Sequence, residues 1–136
     1  MIETLKHYIN GAHVDGTSGR HADVFNPALG TVKAHVPLAN RDEMNRAVAA
    51  AKAAFPAWAA ATPLRRARVM SKFKELLEAN ARKLAAIITS EHGKVLDDAL
   101  GEVTRGIEVV EFACGGPHLL KGEVTENVGT NVDSHS

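Results

Sequence analysis

Apolar side chains recur at alternating spacings of four and three residues between positions 96 and 114. Such a pattern winds onto one face of an α-helix, which completes a turn about every 3.6 residues. The positions in this stripe are Leu96, Leu100, Val103, Ile107, Val110 and Cys114. The sequence therefore predicts a helix with one face committed to burial, closed by the Gly115-Gly116-Pro117 run that follows it.

A first helix is predicted to begin after residue 40. Asn40 with Glu43 three residues later has the form of a capping box, which satisfies free amides at a helix start. Apolar residues then follow at helical spacing, namely Met44, Val48, Ala51, Phe55 and Trp58. Because proline lacks an amide donor and clashes with the preceding turn, Pro56 is expected to bend or end this helix near Phe55.

Two more helices are predicted before residue 94. Thr62-Pro63 offers an N-cap followed by a proline at the first helical position. The core face expected for this helix consists of Val69, Met70, Phe73, Leu76 and Leu77. Glu78-Ala79-Asn80 is a predicted break, and the next helix carries Leu84, Ile87 and Ile88. Gly93 is expected to end that helix in a left-handed conformation.

The first 39 residues have the pattern of β-ribbons. Asn10-Gly11, a strong signal for a two-residue hairpin turn, separates His7-Tyr8-Ile9 from Ala12-His13-Val14. A second ribbon is predicted where an Asn26–Gly30 turn joins two extended segments. The organisation expected is thus 1–39 as β-ribbons and 40–122 as about four helices. The polar remainder, 123–136, is expected to be a loose or weakly extended tail.

Composition narrows the classes of function. Lys and Arg total 16 and Asp and Glu total 16, with no long run of either sign, so neither nucleic acid nor a membrane surface is indicated as a partner. Aromatic residues make up only 4%, which favours helices that pack on something else over a self-sufficient core. A single cysteine excludes an internal disulfide, and no signal or membrane segment is recognisable, so a reducing cytoplasm is expected.

Most candidates for catalytic or binding chemistry have a structural explanation. Cys114 lies on the apolar stripe and is interpreted as a small hydrophobe, not a nucleophile. The seven histidines show no zinc-site spacing, so no metal site is expected. The glycines lie in or after helices, whereas a dinucleotide turn needs them between a strand and a helix, so no nucleotide site is expected here. Glu91–Lys94 is explained as a helix end with Lys94 near its carbonyls.

Arg105 is the remaining candidate for a functional residue. It stands beside the apolar stripe with Glu102 and Glu108 three residues away on either side and Phe112 two turns along the same flank. Taken from the residues alone, this arrangement favours a surface salt bridge, which contributes little to stability.

The same stretch resembles a known family. GEVTRGIEVVEFA at 101–113 is similar to the signature of methylmalonate-semialdehyde dehydrogenases, the coenzyme A-acylating branch of the aldehyde dehydrogenase superfamily. The segments that agree with it are HYINGAHVDG at 7–16, FNPALGTVKAHVPLAN at 25–40, AFPAWAA at 54–60 and SEHGK at 90–94. Two positions depart from the pattern, Gly116 in place of a larger apolar residue and His135 in place of tyrosine.

The resemblance implies an α/β fold of which this chain is the N-terminal part, within the cofactor-binding domain. It implies that Arg105 binds the substrate's carboxylate, a task for which a guanidinium fork is suited. In the whole enzyme, a cysteine thiolate from outside this chain would attack the semialdehyde and hydride would pass to NAD. After loss of carbon dioxide the acyl group would leave as a coenzyme A thioester, a reaction of valine and inositol breakdown.

The resemblance also implies a homo-oligomeric enzyme acting on a small semialdehyde. No catalytic, cofactor-binding or metal-binding residue is assigned within the chain, so neither NAD nor coenzyme A is expected to bind it alone. Two other readings stay open: a non-catalytic helical interaction or assembly module, and part of an aldehyde dehydrogenase that does not use coenzyme A.

Overall fold

The computed structural model describes residues 2–136 and has a mixed α/β architecture in which short strands precede the helices. The strands are β1 (Glu3–Thr4), β2 (His7–Ile9), β3 (Ala12–Val14), β4 (His21–Phe25), β5 (Val32–Pro37), β6 (Val124–Gly129) and β7 (Val132–His135). The helices are α1 (Arg41–Ala60), α2 (Pro63–Ala79), α3 (Ala81–His92), α4 (Leu96–Cys114) and α5 (Gly116–Leu119). None of these helices is long and apolar enough to cross a membrane.

The described residues divide into two compact units. The first contains the chain up to Ala61 together with Ala81–Val103, and the second contains Thr62–Asn80 together with Thr104–Ser136. Strands β1–β5 and helices α1 and α3 therefore belong to the first unit, while α2, α5, β6 and β7 belong to the second. Helix α4 contributes its first turns to one unit and the remainder to the other.

The strands of the first unit confirm both predicted ribbons. β2 and β3 pair antiparallel around Asn10-Gly11, whose φ angles of 53° and 77° are the left-handed values that this turn requires. β4 and β5 pair antiparallel with an irregularity between Val24 and Phe25. β1 adds a parallel edge strand to β5, giving the order β1-β5-β4, which the sequence pattern did not predict.

Helix α1 begins as predicted and ends later than predicted. The side chain of Asn40 accepts the amide of Glu43 at 2.9 Å, and the Glu43 carboxylate accepts the amide of Asn40 at 2.7 Å, which completes the capping box. Of the two outcomes expected at Pro56, a bend or an end of the helix, the end is wrong, because α1 continues through Pro56 to Ala60. The last turn is exposed to solvent, where the hydrogen bond that Pro56 cannot donate is least costly.

Helices α2 and α3 begin and end where the sequence predicts. Thr62 accepts the amide of Arg65 with Pro63 in the first turn. Gly93 has a φ angle of 86° and donates its amide to the Thr89 carbonyl at 2.8 Å, which is the predicted left-handed end.

The predicted core face of α2 is only partly buried. Val69, Phe73 and Leu76 are about half exposed, whereas Ala67, which lies about 120–180° around the helix from them, is buried. The apolar stripe of α1 is likewise open to solvent. Among residues 2–136 the buried apolar side chains are Ala34, Pro37, Ala67, Ala85, Ala99 and Val103. Helical spacing therefore identified apolar faces correctly, but the described residues do not cover all of them.

The segment after Gly122 differs from the predicted loose tail. β6 and β7 form an antiparallel hairpin whose turn includes Asn131 at a φ of 60°. Its register is interrupted opposite Asp133, where Asn127 also has a positive φ and donates its amide to the Asp133 carboxylate at 2.9 Å. Asparagine tolerates this left-handed backbone, so a hairpin forms without glycine at these positions. The two strands agree with the weakly extended alternative of the prediction, and every residue of both is exposed.

Candidate functional site

Arg105 lies in the middle of α4 with its side chain exposed to solvent. The sequence offered Glu102 and Glu108 as partners for its guanidinium. In the described part of the chain, neither glutamate lies within ion-pair distance of Arg105. Its guanidinium is therefore available to an anion from outside the chain.

Glu102 has a different partner, Lys94. The Lys94 ammonium donates to Glu102 Oε1 at 2.6 Å and contacts Asp98 Oδ2 at 2.7 Å. Hydrogen bonds to Asp98 and then Glu102 raise the pKa of Lys94, whose side chain is only 14% exposed. The prediction that Lys94 serves the carbonyl end of the preceding helix is thus wrong, because its ammonium binds the first turns of α4 instead.

The Arg105 flank of α4 is polar at its start and apolar further on. At about 100° per residue, Asp98, Glu102 and Arg105 fall within about 60° of one another, and Phe112 lies within about 20° of Arg105. The ring of Phe112 is 70% exposed. Gly106, next to Arg105, has nothing within 4 Å of the place that a Cβ would take. A small molecule with a carboxylate at one end and a short carbon chain could meet complementary groups here.

The other residues considered in the sequence have the following positions and contacts. Cys114 is the last residue of α4 and is half buried. Glu91 pairs with Lys33 of β5 at 2.7 Å, so the Glu91–Lys94 segment connects α3 to the sheet as well as to α4. His35 Nδ1 lies 3.0 Å from Asp23 Oδ1 across the β4–β5 pair. Within residues 2–136, no three His, Cys, Asp or Glu side chains are placed to share a metal ion.

The connection from β5 to α1 is the one strand-to-helix junction in residues 2–136, and its geometry does not suit a dinucleotide phosphate. Its helix amides are served by the capping box, and the Glu43 carboxylate also accepts the Thr17 amide at 2.6 Å. Hydrogen bonds from the backbone of Asn40 and then Thr17 lower the pKa of Glu43, which is buried. A buried carboxylate at this helix start would repel a phosphate, and the junction carries no glycine.

Sequence reasoning missed two features of this region. One is the burial of Glu43, and the other is the role of Lys94 as the partner of Asp98 and Glu102. The second could have been found, because acids four and eight residues after Lys94 fall on one side of a helix that starts at Leu96. The capping-box pattern indicated the Asn40 contacts of Glu43 but not the contact with Thr17, which is distant in sequence.

Comparison with known proteins identifies the protein family. The sequence model of the aldehyde dehydrogenase family matches residues 13–135, and the chain belongs to this family. Among individual relatives, the chain is 51% identical over 133 residues to the malonate-semialdehyde dehydrogenase of Pseudomonas aeruginosa. That match covers 98% of this chain and 27% of the relative.

Solved structures of aldehyde dehydrogenases agree with this family assignment. A methylmalonate-semialdehyde dehydrogenase from Oceanimonas doudoroffii superposes with a TM-score of 0.90 at 48% identity, covering 98% of this chain and 27% of that one. A Sinorhizobium meliloti protein assigned as a methylmalonate-semialdehyde dehydrogenase, solved in complex with NAD, superposes with a TM-score of 0.91 at 50% identity. Here the match covers 99% of this chain and 28% of that one. The chain thus spans about a quarter of the length of the relatives that it matches.

Proposed function

We propose that this chain is the N-terminal portion of an NAD-dependent, coenzyme A-acylating dehydrogenase of malonate or methylmalonate semialdehyde. In this proposal Arg105 binds the carboxylate of the substrate. The catalytic thiolate and the dinucleotide site lie outside these residues, and the whole enzyme assembles as a homo-oligomer. NAD would accept the hydride and coenzyme A would accept the acyl group.

The observation that carries the proposal is the exposed Arg105 guanidinium within a chain half identical to a malonate-semialdehyde dehydrogenase. Malonate and methylmalonate semialdehydes differ from simple aldehydes by the carboxylate at the far end of the molecule. A guanidinium recognises a carboxylate through two parallel charge-assisted hydrogen bonds. Because no carboxylate of the described residues occupies Arg105, such an anion could bind without displacing an internal partner.

The proposal can be tested in a chimera in which residues 1–136 replace the matching segment of the Pseudomonas aeruginosa malonate-semialdehyde dehydrogenase. We expect Arg105→Leu to lower kcat/KM for malonate semialdehyde by a factor equivalent to about 2–4 kcal/mol, because a bidentate contact is lost. Activity on propanal, which has no carboxylate, should be nearly unchanged. Both aldehydes are measured at saturating NAD and coenzyme A.

The contrast between the two substrates separates recognition from structure. Arg105→Lys is the matched variant, since it keeps the charge and loses the planar fork, and it should retain part of the preference for the semialdehyde. Equal losses on both aldehydes would show that Arg105 supports the fold and would contradict the proposed role.

A further inference from the structure

We propose that Lys94 is a positioning residue for substrate recognition, because it holds Glu102 and thereby keeps Arg105 available to the substrate's carboxylate. This inference rests on the proposed function of Arg105. It assigns a role to the ion-pair cluster Lys94–Asp98–Glu102, which would otherwise be explained as a stabilising contact at the start of α4.

Helix geometry makes Glu102 a competitor of the substrate's carboxylate for Arg105. Glu102 precedes Arg105 by three residues on α4, a spacing at which opposite charges on a helix surface normally pair. Glu102 instead lies 2.6 Å from the Lys94 ammonium. A glutamate released from Lys94 would have Arg105 as its nearest cation on this flank, and a guanidinium engaged by Glu102 would have fewer donors for a substrate.

Lys94 is well placed to keep Glu102 from moving. Its side chain is 14% exposed, and its ammonium is shared between two carboxylates one helical turn apart. Gly93 fixes the backbone immediately before it, with a φ angle of 86° and an amide bound to the Thr89 carbonyl. A largely shielded, doubly bound ammonium on a fixed turn restrains its partners better than two exposed flexible side chains restrain each other.

Lys94→Met in the chimera tests this inference, because methionine keeps an aliphatic stem of similar length and removes the ammonium. The readout is the ratio of kcat/KM for malonate semialdehyde to kcat/KM for propanal, which a general loss of structure would not change. We expect the ratio to fall about two- to fivefold, the weight of one exposed helix-surface ion pair. Lys94→Arg should keep the ratio near that of the unsubstituted chimera.

The decisive test is whether a second substitution restores the substrate preference that Lys94→Met lowers. Adding Glu102→Gln to Lys94→Met removes the competitor and should restore the ratio. Adding Asp98→Asn makes the same change of charge seven residues from Arg105 and should not restore it. A ratio that Lys94→Met leaves unchanged, a fall that Glu102→Gln does not reverse, or equal rescue by both second substitutions would each overturn the inference.

The positioning role of Lys94 and the recognition role of Arg105 can fail independently in these experiments. If Arg105→Leu affects both aldehydes equally, the recognition role of Arg105 fails. If Arg105→Leu shows the substrate contrast while the Lys94 series does not follow the expected order, only the positioning role of Lys94 fails.

Discussion

At the scale of single residues, Glu102 binds Lys94 and not Arg105, which lies three residues further along α4. The position of Arg105 on an exposed helix flank could be predicted from the stripe of apolar residues beside it. Its lack of an ion-pair partner among residues 2–136 was not predicted, although the spacing of Lys94, Asp98 and Glu102 would have indicated that Lys94 binds Glu102. Sequence spacing gives the candidate partners of Glu102, but which of the two cations it binds depends on where the turn at Gly93 places Lys94.

Glu43 gives a pH-dependent prediction at the same scale. Its pKa is lowered in the folded chain, so its contribution to stability is full above its unfolded pKa and is lost as the pH falls through the folded pKa. We expect hydrogen-exchange protection of the first turn of α1 to be constant above a pH of about 5 and to decline below it. Mass spectrometry of exchanged peptides over a pH series measures this.

Glu43→Gln should remove the pH dependence of protection, because the ionised acceptor of the Asn40 and Thr17 amides is gone. Asp42→Asn makes the same charge change in the same turn on an exposed side chain, and it should leave the dependence in place. Equal pH profiles for the two variants would show that the buried carboxylate is not responsible.

At the scale of elements, the helix starts and ends were predictable and the buried faces were not. The caps at Asn40, Thr62 and Gly93 depend on contacts within a few residues, which the sequence displays. Burial of Val69 or Phe73 depends on a partner surface, and half of each side chain remains exposed in this chain. The β6–β7 hairpin was missed because asparagines, not glycines, adopt its left-handed positions.

Gly106 gives a prediction for helix α4. Glycine within a helix costs about 1 kcal/mol relative to alanine, and no atom beyond the adjacent residues and the local helix backbone lies within 4 Å of the added methyl group. We therefore expect Gly106→Ala to raise the helicity of a peptide spanning residues 94–115, measured by far-ultraviolet circular dichroism. An unchanged or lower helicity would contradict the assignment of this position to a regular helix interior.

At the scale of the whole molecule, the described residues leave many large apolar side chains exposed. Their buried apolar side chains are four alanines, Pro37 and Val103, while Phe55, Phe73 and Phe112 are each more than 40% exposed. An uncovered apolar patch larger than about 400 Å² normally drives association. The outer edges of the exposed β6–β7 hairpin offer further unpaired backbone groups.

We therefore expect the isolated chain to show a helical circular-dichroism spectrum together with self-association or binding of a hydrophobic dye. Sedimentation equilibrium, thermal melting and dye fluorescence measure these properties. A monodisperse monomer with a sharp cooperative transition and no dye binding would mean that the chain forms a complete domain. That result would favour a non-catalytic interaction module.

The isolated chain should also fail to bind NAD. Its strand-to-helix junction at residues 38–40 is capped by Asn40 and Glu43 and has no glycine turn to receive a phosphate. Titration calorimetry of the pure chain with NAD measures this directly. Saturable binding in the micromolar range would reveal a nucleotide site that the geometry does not show.

The most direct test of the central claim is thioester formation by the unsubstituted chimera. If residues 1–136 form the substrate-recognising N-terminal portion of a malonate-semialdehyde dehydrogenase, the chimera should convert malonate semialdehyde to an acyl-coenzyme A thioester. That conversion should require both NAD and coenzyme A, and the chimera should prefer the semialdehyde to propanal. A chimera that assembles like the Pseudomonas aeruginosa enzyme yet forms no thioester, or shows no preference for the carboxylate-bearing substrate, would contradict the account.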